Sequence, residues 1–136
     1  MLDCEINKLI KFNLSKNFIK LILKKILQET VKKIPKVKNI PSFSVVFTNE
    51  KTIQAINKKY RKINKATDVL SFSDPAEIII CWSQLTKQAK EFKHTQIEEL
   101  KILLVHSVLH ILGHDHRFEK EKNKMDKLAN QILKVI

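Results

Sequence analysis

The stretch QIEELKILLVHSVLHILGHDH, from Gln96 to His116, holds the strongest structural signal in this sequence. A helix is predicted over 96–112. Because most residues from Leu100 to Leu112 are apolar, we expect it to be buried on nearly all sides from Leu100 onward. Gly113, the only glycine of the chain, follows this helix. We expect it to take the left-handed conformation that ends a helix and turns the chain back.

Four of the chain's five histidines lie between His106 and His116. His106 and His110 are four residues apart, so on a helix they share one face. A turn at Gly113 would bring His116 toward them, and three imidazole nitrogens without a fourth protein ligand describe a zinc site with an open position. The alternative is that His106 and His110 are core histidines, each of which would need a hydrogen-bond partner.

Helices and short strands are predicted on both sides of this stretch. Apolar residues at helical spacing and capping residues predict helices over 12–33, 48–62, 83–92 and 119–135, with Ile53, Ile56 and Tyr60 facing inward in the second. Strands are predicted over 42–47, 68–72 and 77–82, with weaker strand character in 1–10. The expected fold class is α+β: a small mixed β-sheet with helices packed on it, a metal site at the C-terminal end of a buried helix, and one domain over 1–136.

The composition points to a basic protein of a reducing compartment. The formal net charge is +12, and of 26 basic residues only Arg61 and Arg117 are arginines. This charge favours RNA or DNA as a partner, although a lysine-rich bias of the whole composition is the alternative. No signal peptide or long apolar run is evident. Cys4 and Cys81 are too few for a disulfide framework and are expected to be buried and inert.

The spacing His-x3-His-x2-Gly-x2-His matches the long zincin motif of metallopeptidases. In that motif a glutamate follows the first histidine and acts as the general base. Here the position holds Ser107, and a hydroxyl cannot replace a carboxylate as a base near neutral pH. The metal ligands are therefore present without the peptidase base, which makes a metallopeptidase the weaker alternative.

Two linked blocks resemble the YbeY family of bacterial endoribonucleases, also called rRNA maturation factors. The first is the histidine stretch itself, and the second comprises Asn57-Lys-Lys-Tyr60-Arg61 and Thr67-Asp68-Val69-Leu70-Ser71-Phe72. Residues 77–81 fit the strand that follows in the family, and Glu121 and Met125 fit its tail. The chain departs from the family pattern at Ser73, Ala76-Glu77, Ser107 and His114, and none of these changes removes a metal ligand.

The resemblance implies a zinc-dependent, single-strand-specific endoribonuclease domain over 1–136 that acts in 16S rRNA maturation and ribosome quality control. It implies one zinc ion per chain, although nickel or another divalent metal also binds three imidazoles. The implied partners are ribosomal RNA and the small ribosomal subunit, with a ribosomal protein or a GTPase as protein partner, in the cytoplasm and without a membrane. The alternative is a non-catalytic ribosome assembly factor whose metal is structural.

The expected site residues fall into four groups. The metal ligands are His106, His110 and His116, and the catalytic residues are Arg61, which would bind phosphate, and His106. Asp115 would orient a ligand histidine or only cap a turn, and Asp68 and Ser71 would line the cleft. His114 would face solvent or form a hydrogen bond, with a role as a further metal ligand as the weaker alternative. Lys58, Lys59, Lys62 and Lys65 would follow the RNA backbone or form a solvated helix face.

Overall fold

Five helices and a four-stranded mixed sheet make up the part of the chain that this computed structural model describes, residues 3–37, 39–113 and 122–136. In chain order the elements are β1 (Cys4–Lys8), α1 (Lys16–Lys33), β2 (Phe43–Thr48), α2 (Glu50–Arg61), β3 (Val69–Ser73), β4 (Ala76–Cys81), α3 (Trp82–Glu91), α4 (Gln96–Leu112) and α5 (Lys122–Leu133). The predicted α+β class, with helices packed on a small mixed sheet, is confirmed. None of the described helices combines the length and apolarity that a membrane span requires.

The sheet has the strand order β1-β2-β4-β3. β1, β2 and β4 run parallel, and β3 runs antiparallel to β4 at one edge. β4 is buried from Ile78 to Cys81 because helices cover both of its faces. On one face Ile78 and Ile80 join the large core that α1 and α4 share, and on the other Ile79 and Cys81 pack with Ile53 of α2.

Helix α4 lies at the centre of the larger core and spans Gln96–Leu112, as predicted. It begins with a capping box, in which the Thr95 hydroxyl accepts from the Glu98 backbone N–H and the Glu98 carboxylate accepts from the Thr95 backbone N–H. Its leucines and valines from Leu100 to Leu109 are buried, and Leu104 and Val108 are completely inaccessible to solvent. His106 and His110 therefore lie at the C-terminal end of a helix that the core holds in place.

Several element boundaries differ from the sequence prediction. α1 begins at Lys16 rather than at residue 12, because the Ser15 hydroxyl caps the helix by accepting from the Phe18 backbone N–H. Trp82 starts α3 instead of ending the preceding strand. The weak strand signal in 1–10 corresponds to β1, which the parallel pairing with β2 stabilises. Residues 119–121 of the last predicted helix lie outside the described part.

The prediction that Gly113 adopts a left-handed conformation is wrong. Its φ and ψ are −93° and 26°, and its N–H donates to the Leu109 carbonyl at 2.7 Å, so it closes the last turn of α4 with an ordinary helical hydrogen bond. Gly113 is also buried, where a missing side chain allows close packing. Among the described residues, positive φ angles occur instead at Lys62 (63°) and Lys93 (57°), each just after a helix.

Both cysteines are buried and unpaired, as predicted. Cys4 lies on the edge strand β1, and burial raises the pKa of its thiol above the ordinary value. A thiol with a raised pKa forms little thiolate near neutral pH. Cys4 is therefore poorly suited to nucleophilic chemistry or metal binding.

Candidate active site

An open cleft of about 610 Å³ lies where α2, β3, α4 and α5 approach one another. α2 contributes Asn57 and Arg61 to its lining, and α4 contributes His106, Ser107 and His110. The remaining lining residues come from the loop after α2, from β3 and from α5: Ile63, Thr67, Val69, Leu70, Ser71 and Met125. The fold thus brings Arg61 and two histidines of the histidine stretch, His106 and His110, to one surface depression, although Arg61 and His106 are 45 residues apart in the chain.

The two described histidines of this cleft are exposed, although every other residue from Leu103 to Ile111 of α4 is buried. The alternative that His106 and His110 are core histidines is therefore wrong. His106 Nδ1 lies 2.8 Å from the Ile102 carbonyl oxygen, which can only accept a hydrogen bond. The neutral ring then carries its proton on Nδ1 and leaves a lone pair on Nε2, the arrangement that a metal-binding imidazole needs.

The donor set fits a divalent metal ion as far as it is described. His106 and His110 supply two imidazoles on one helix face, and such ligands suit zinc and its neighbours in the transition series. His116, the third expected ligand, lies outside the described residues, as do His114, Asp115 and Arg117. Within the described ranges, no three histidine, cysteine or acidic side chains form a group that could hold a metal.

Arg61 reaches the cleft from the last turn of α2. One guanidinium nitrogen donates to the Ser71 carbonyl at 2.6 Å, and the guanidinium carbon lies 5.1 Å from the centre of the Phe72 ring. These contacts hold the group against β3 while using only one of its five N–H donors in a described hydrogen bond. The guanidinium is therefore fixed in place with donors remaining for an oxyanion.

Asn57 is a cleft residue to which the sequence analysis gave no role. Its side chain is buried, and its amide Nδ2 donates to the Lys65 carbonyl at 2.9 Å. This bond closes the loop that follows Lys62, whose left-handed φ of 63° turns the chain after α2. Asn57 thereby fixes the path from Arg61 to β3, and its place in the Asn-x-x-Tyr-Arg block was the available signal.

Asp68 does not line the cleft, whereas Ser71 does. Asp68 Oδ1 accepts from the Val69 backbone N–H at 2.8 Å and from the Thr67 hydroxyl at 3.2 Å. Its other carboxylate oxygen accepts from Gln88 Nε2 of α3 at 3.0 Å. The carboxylate therefore anchors the start of β3.

The same glutamine joins a second carboxylate. Gln88 Nε2 also lies 3.4 Å from Glu99 Oε2, and the other oxygen of Glu99 lies 3.1 Å from His94 Nδ1. Glu99 is only 3% exposed and belongs to α4. Asp68, Gln88, Glu99 and His94 thus form a polar cluster that connects the start of β3 with α3 and α4.

The four lysines expected to bind RNA are all exposed: Lys58, Lys59, Lys62 and Lys65. None of these four lysines lines the cleft. Lys59 Nζ lies 5.2 Å from the centre of the Tyr60 ring. Their role in RNA binding stays a prediction.

The prediction that Tyr60 faces inward is wrong, because 59% of the residue is exposed. Along α2 burial decreases from Ile53, which is fully buried, through Ile56, which is partly exposed, to Tyr60. The small cluster that α2 covers is centred on Ile53, so the last turn of the helix extends beyond it. Helical spacing gave the correct face but not the length over which that face is covered.

Comparisons with known proteins agree on one family. A family model described as Endoribonuclease YbeY matches residues 5–136. The Ureaplasma urealyticum protein named Endoribonuclease YbeY is 43% identical over 100 residues, which cover 67% of this chain and 64% of that protein, just under two thirds of its length. The Thermodesulfovibrio yellowstonii protein of the same name is 38% identical over 131 residues, covering 85% of this chain and 82% of the relative.

A solved structure supports the fold independently. The solution structure of TM1509 from Thermotoga maritima superimposes with a TM-score of 0.63 at 23% identity. The match covers 98% of this chain and 87% of that protein. At this level of identity the likeness concerns the fold alone.

Proposed function

The chain belongs to the YbeY family of endoribonucleases, and on that premise we propose that it is a metal-dependent hydrolase that cuts single-stranded ribosomal RNA. The observation that carries the proposal is the single cleft that holds Arg61 beside His106 and His110. A fixed guanidinium next to two exposed imidazoles suits a phosphodiester better than any neutral substrate. The net charge of +12 is the charge expected of a protein that binds a polyanion.

The metal would be held by His106, His110 and His116, with zinc as the first choice. A bound divalent ion supplies a Lewis acid for a phosphate oxygen and lowers the pKa of a coordinated water toward about 7. The Ile102 carbonyl holds the His106 ring in the tautomer that leaves Nε2 available as a ligand.

Arg61 would act on the phosphate directly. Its free N–H groups would donate to the non-bridging oxygens of the scissile phosphate and stabilise the charge that accumulates as water adds and the P–O bond to the leaving group breaks. The contacts with Ser71 and Phe72 fix the guanidinium before substrate arrives. Such preorganised donors do not need to be ordered during the reaction.

The biological setting in this proposal is the maturation of 16S rRNA and ribosome quality control in the cytoplasm. The small ribosomal subunit is the proposed partner, with a ribosomal protein or a GTPase in contact with it. The names of the relatives and the basic charge support an RNA substrate. A structural metal in a non-catalytic assembly factor is disfavoured because His106 and His110 lie exposed in an open cleft, unlike the ligands of a closed structural site. A metallopeptidase is disfavoured because the buried Ser107 stands where that class needs a glutamate base.

The test is cleavage of an end-labelled single-stranded rRNA fragment with and without a chelator. We expect Arg61→Ala to lower the rate about 100-fold, because a preorganised donor to the transition state is lost. His106→Ala should lower it as strongly, and a chelator should abolish cleavage by the parent protein. Lys90→Ala, which removes an exposed cation from the last turn of α3, is the matched control and should cut normally. All variants are purified identically, and cutting by both site variants at the parental rate would refute the proposal.

A further inference from the structure

Tyr60 presents an aromatic ring to solvent in an unusual setting. The ring is 59% exposed, yet it is not loose, because it packs edge-on against Phe72 with 5.5 Å between ring centres and an interplanar angle of 72°. Lys59 Nζ also lies 5.2 Å from the ring centre. The rest of this exposed and supported ring offers a surface for another flat group.

This ring shares its support with the proposed phosphate-binding side chain. Phe72 makes an edge contact with the Tyr60 ring, and the Arg61 guanidinium carbon lies 5.1 Å from the centre of the Phe72 ring. Tyr60 and Arg61 are also consecutive residues in the last turn of α2. A strand with a phosphate at Arg61 would therefore have a neighbouring base close to the Tyr60 ring.

The charge around the ring indicates which partner it fits. Residues 51–67 contain six basic residues and no acidic ones. The two large exposed apolar side chains here, Tyr60 and Ile63, lie within this basic segment. A protein partner would need a wider apolar patch, whereas isolated aromatic rings among cations are typical of surfaces that bind single-stranded nucleic acid.

We propose that Tyr60 is a stacking platform for one unpaired nucleobase next to the phosphate that Arg61 binds. The inference rests on the proposed function and adds to it a residue that selects for unpaired RNA. A base that is paired within a helix is stacked between its neighbours and cannot lie on the ring without leaving the duplex. The Tyr60 hydroxyl is not required, so a phenylalanine would serve as well.

The experiment measures binding of a hydrolysis-resistant, phosphorothioate-linked single-stranded oligoribonucleotide to the metal-replete protein. Tyr60→Ala should weaken binding about tenfold, the effect expected when one base loses its aromatic partner. Tyr60→Phe should bind within about twofold of the parent. Phe92→Ala removes an equally exposed ring, 61% accessible, from the residue after α3 and should leave the affinity unchanged.

A second series replaces the bases of the oligonucleotide by abasic sites, one position at a time. For the parent protein, removing the base at one position should lower the affinity. For Tyr60→Ala, removing the base at that position should lower the affinity no further, because the stacking contact is already missing. Parental affinity of Tyr60→Ala, or an equal loss for Phe92→Ala, would overturn the inference. Unchanged RNA affinity together with lost binding to a ribosomal protein would assign the ring to a protein interface and would overturn it as well.

The binding measurement does not depend on cleavage. Tyr60-dependent binding by a protein that cuts no RNA would refute the proposed nuclease activity and leave the stacking role standing. RNA cleavage by the parent with no Tyr60-dependent binding would do the reverse.

Discussion

At the scale of single residues, Ser107 separates this site from the peptidase pattern that its histidine spacing resembles. Ser107 is only 4% exposed, so it is part of the wall that backs the cleft between two exposed histidines. A small side chain fits this position, whereas a carboxylate would be placed in the packed surroundings of α4. The identity of Ser107 therefore affects stability as well as chemistry.

We expect Ser107→Glu to lower the free energy of unfolding by about 3 kcal/mol, since the substitution buries a charged group without a partner. We expect no peptidase activity from this variant. Urea unfolding followed by circular dichroism would measure the loss. Ser107→Gly is the control, because it adds no charge to the buried position and should cost less than about 1 kcal/mol in a helix interior. A Ser107→Glu protein as stable as the parent would contradict this description of the cleft wall.

At the scale of elements, the sequence predicted α4 within its exact bounds because local signals at both ends agree. The Thr95-Glu98 capping box marks the start, and apolar periodicity continues to Leu112. β1 gave only a weak signal because its stability comes from pairing with β2, about 40 residues away in the chain. The conformation of Gly113 was missed because a glycine after a helix is compatible with more than one ending.

The capping box itself can be tested by substitution. Thr95→Ala should lower the free energy of unfolding by about 1 kcal/mol, because the Glu98 backbone N–H loses its acceptor at the start of the helix that carries the histidines. Thermal or urea unfolding is the measurement. Thr95→Ser keeps the hydroxyl and should restore most of the stability, and a loss as large as that of Thr95→Ala would count against the cap.

The box also makes a pH-dependent contribution. The Glu98 carboxylate accepts hydrogen bonds from the Thr95 backbone N–H, which has the larger effect, and from the Thr95 hydroxyl. Both bonds lower the pKa of Glu98 below the ordinary value of 4.5. A lowered pKa in the folded state means stability that is present above pH 4.5 and is lost as the pH falls through the folded-state pKa. Glu98→Gln should therefore unfold more easily than the parent at pH 7, and the difference should shrink below pH 4.5. A difference that stays constant with pH would exclude the charge of Glu98 as its source.

At the scale of the whole molecule, the cleft depends on contacts between elements that are distant in the chain. The motifs predicted that Arg61 and three histidines act together, and the fold places Arg61 and the two described ones, His106 and His110, in one cleft. The direction in which the Asp68 side chain points was not predictable, because its carboxylate accepts a hydrogen bond from Gln88, which lies 20 residues later in α3. Tyr60 was misplaced for a similar reason, since its exposure depends on how far the buried cluster around Ile53 extends beneath α2.

The polar cluster of Asp68, Gln88, Glu99 and His94 gives a prediction at this scale. Gln88→Ala should cost about 2 kcal/mol of stability, because Asp68 and the buried Glu99 both lose a hydrogen-bond donor. Gln84→Ala on the same helix is the matched control, since Gln84 bonds the exposed Glu50 and should cost little. Chemical denaturation of the two variants in parallel is the measurement, and equal costs would show that the cluster contributes no special stability.

The contact between Arg61 and Ser71 has a further consequence for what the cleft admits. β3 is an edge strand, and because Asp68 and Cys81 form a hydrogen-bonded pair, the alternating ladder points the backbone groups of Ser71 away from β4. Extended peptides bind many proteins by adding a strand to such an edge. Arg61 already occupies the Ser71 carbonyl and places a cation on that edge. An incoming peptide would meet an acceptor that is already taken, while an incoming phosphate would meet a donor held ready for it.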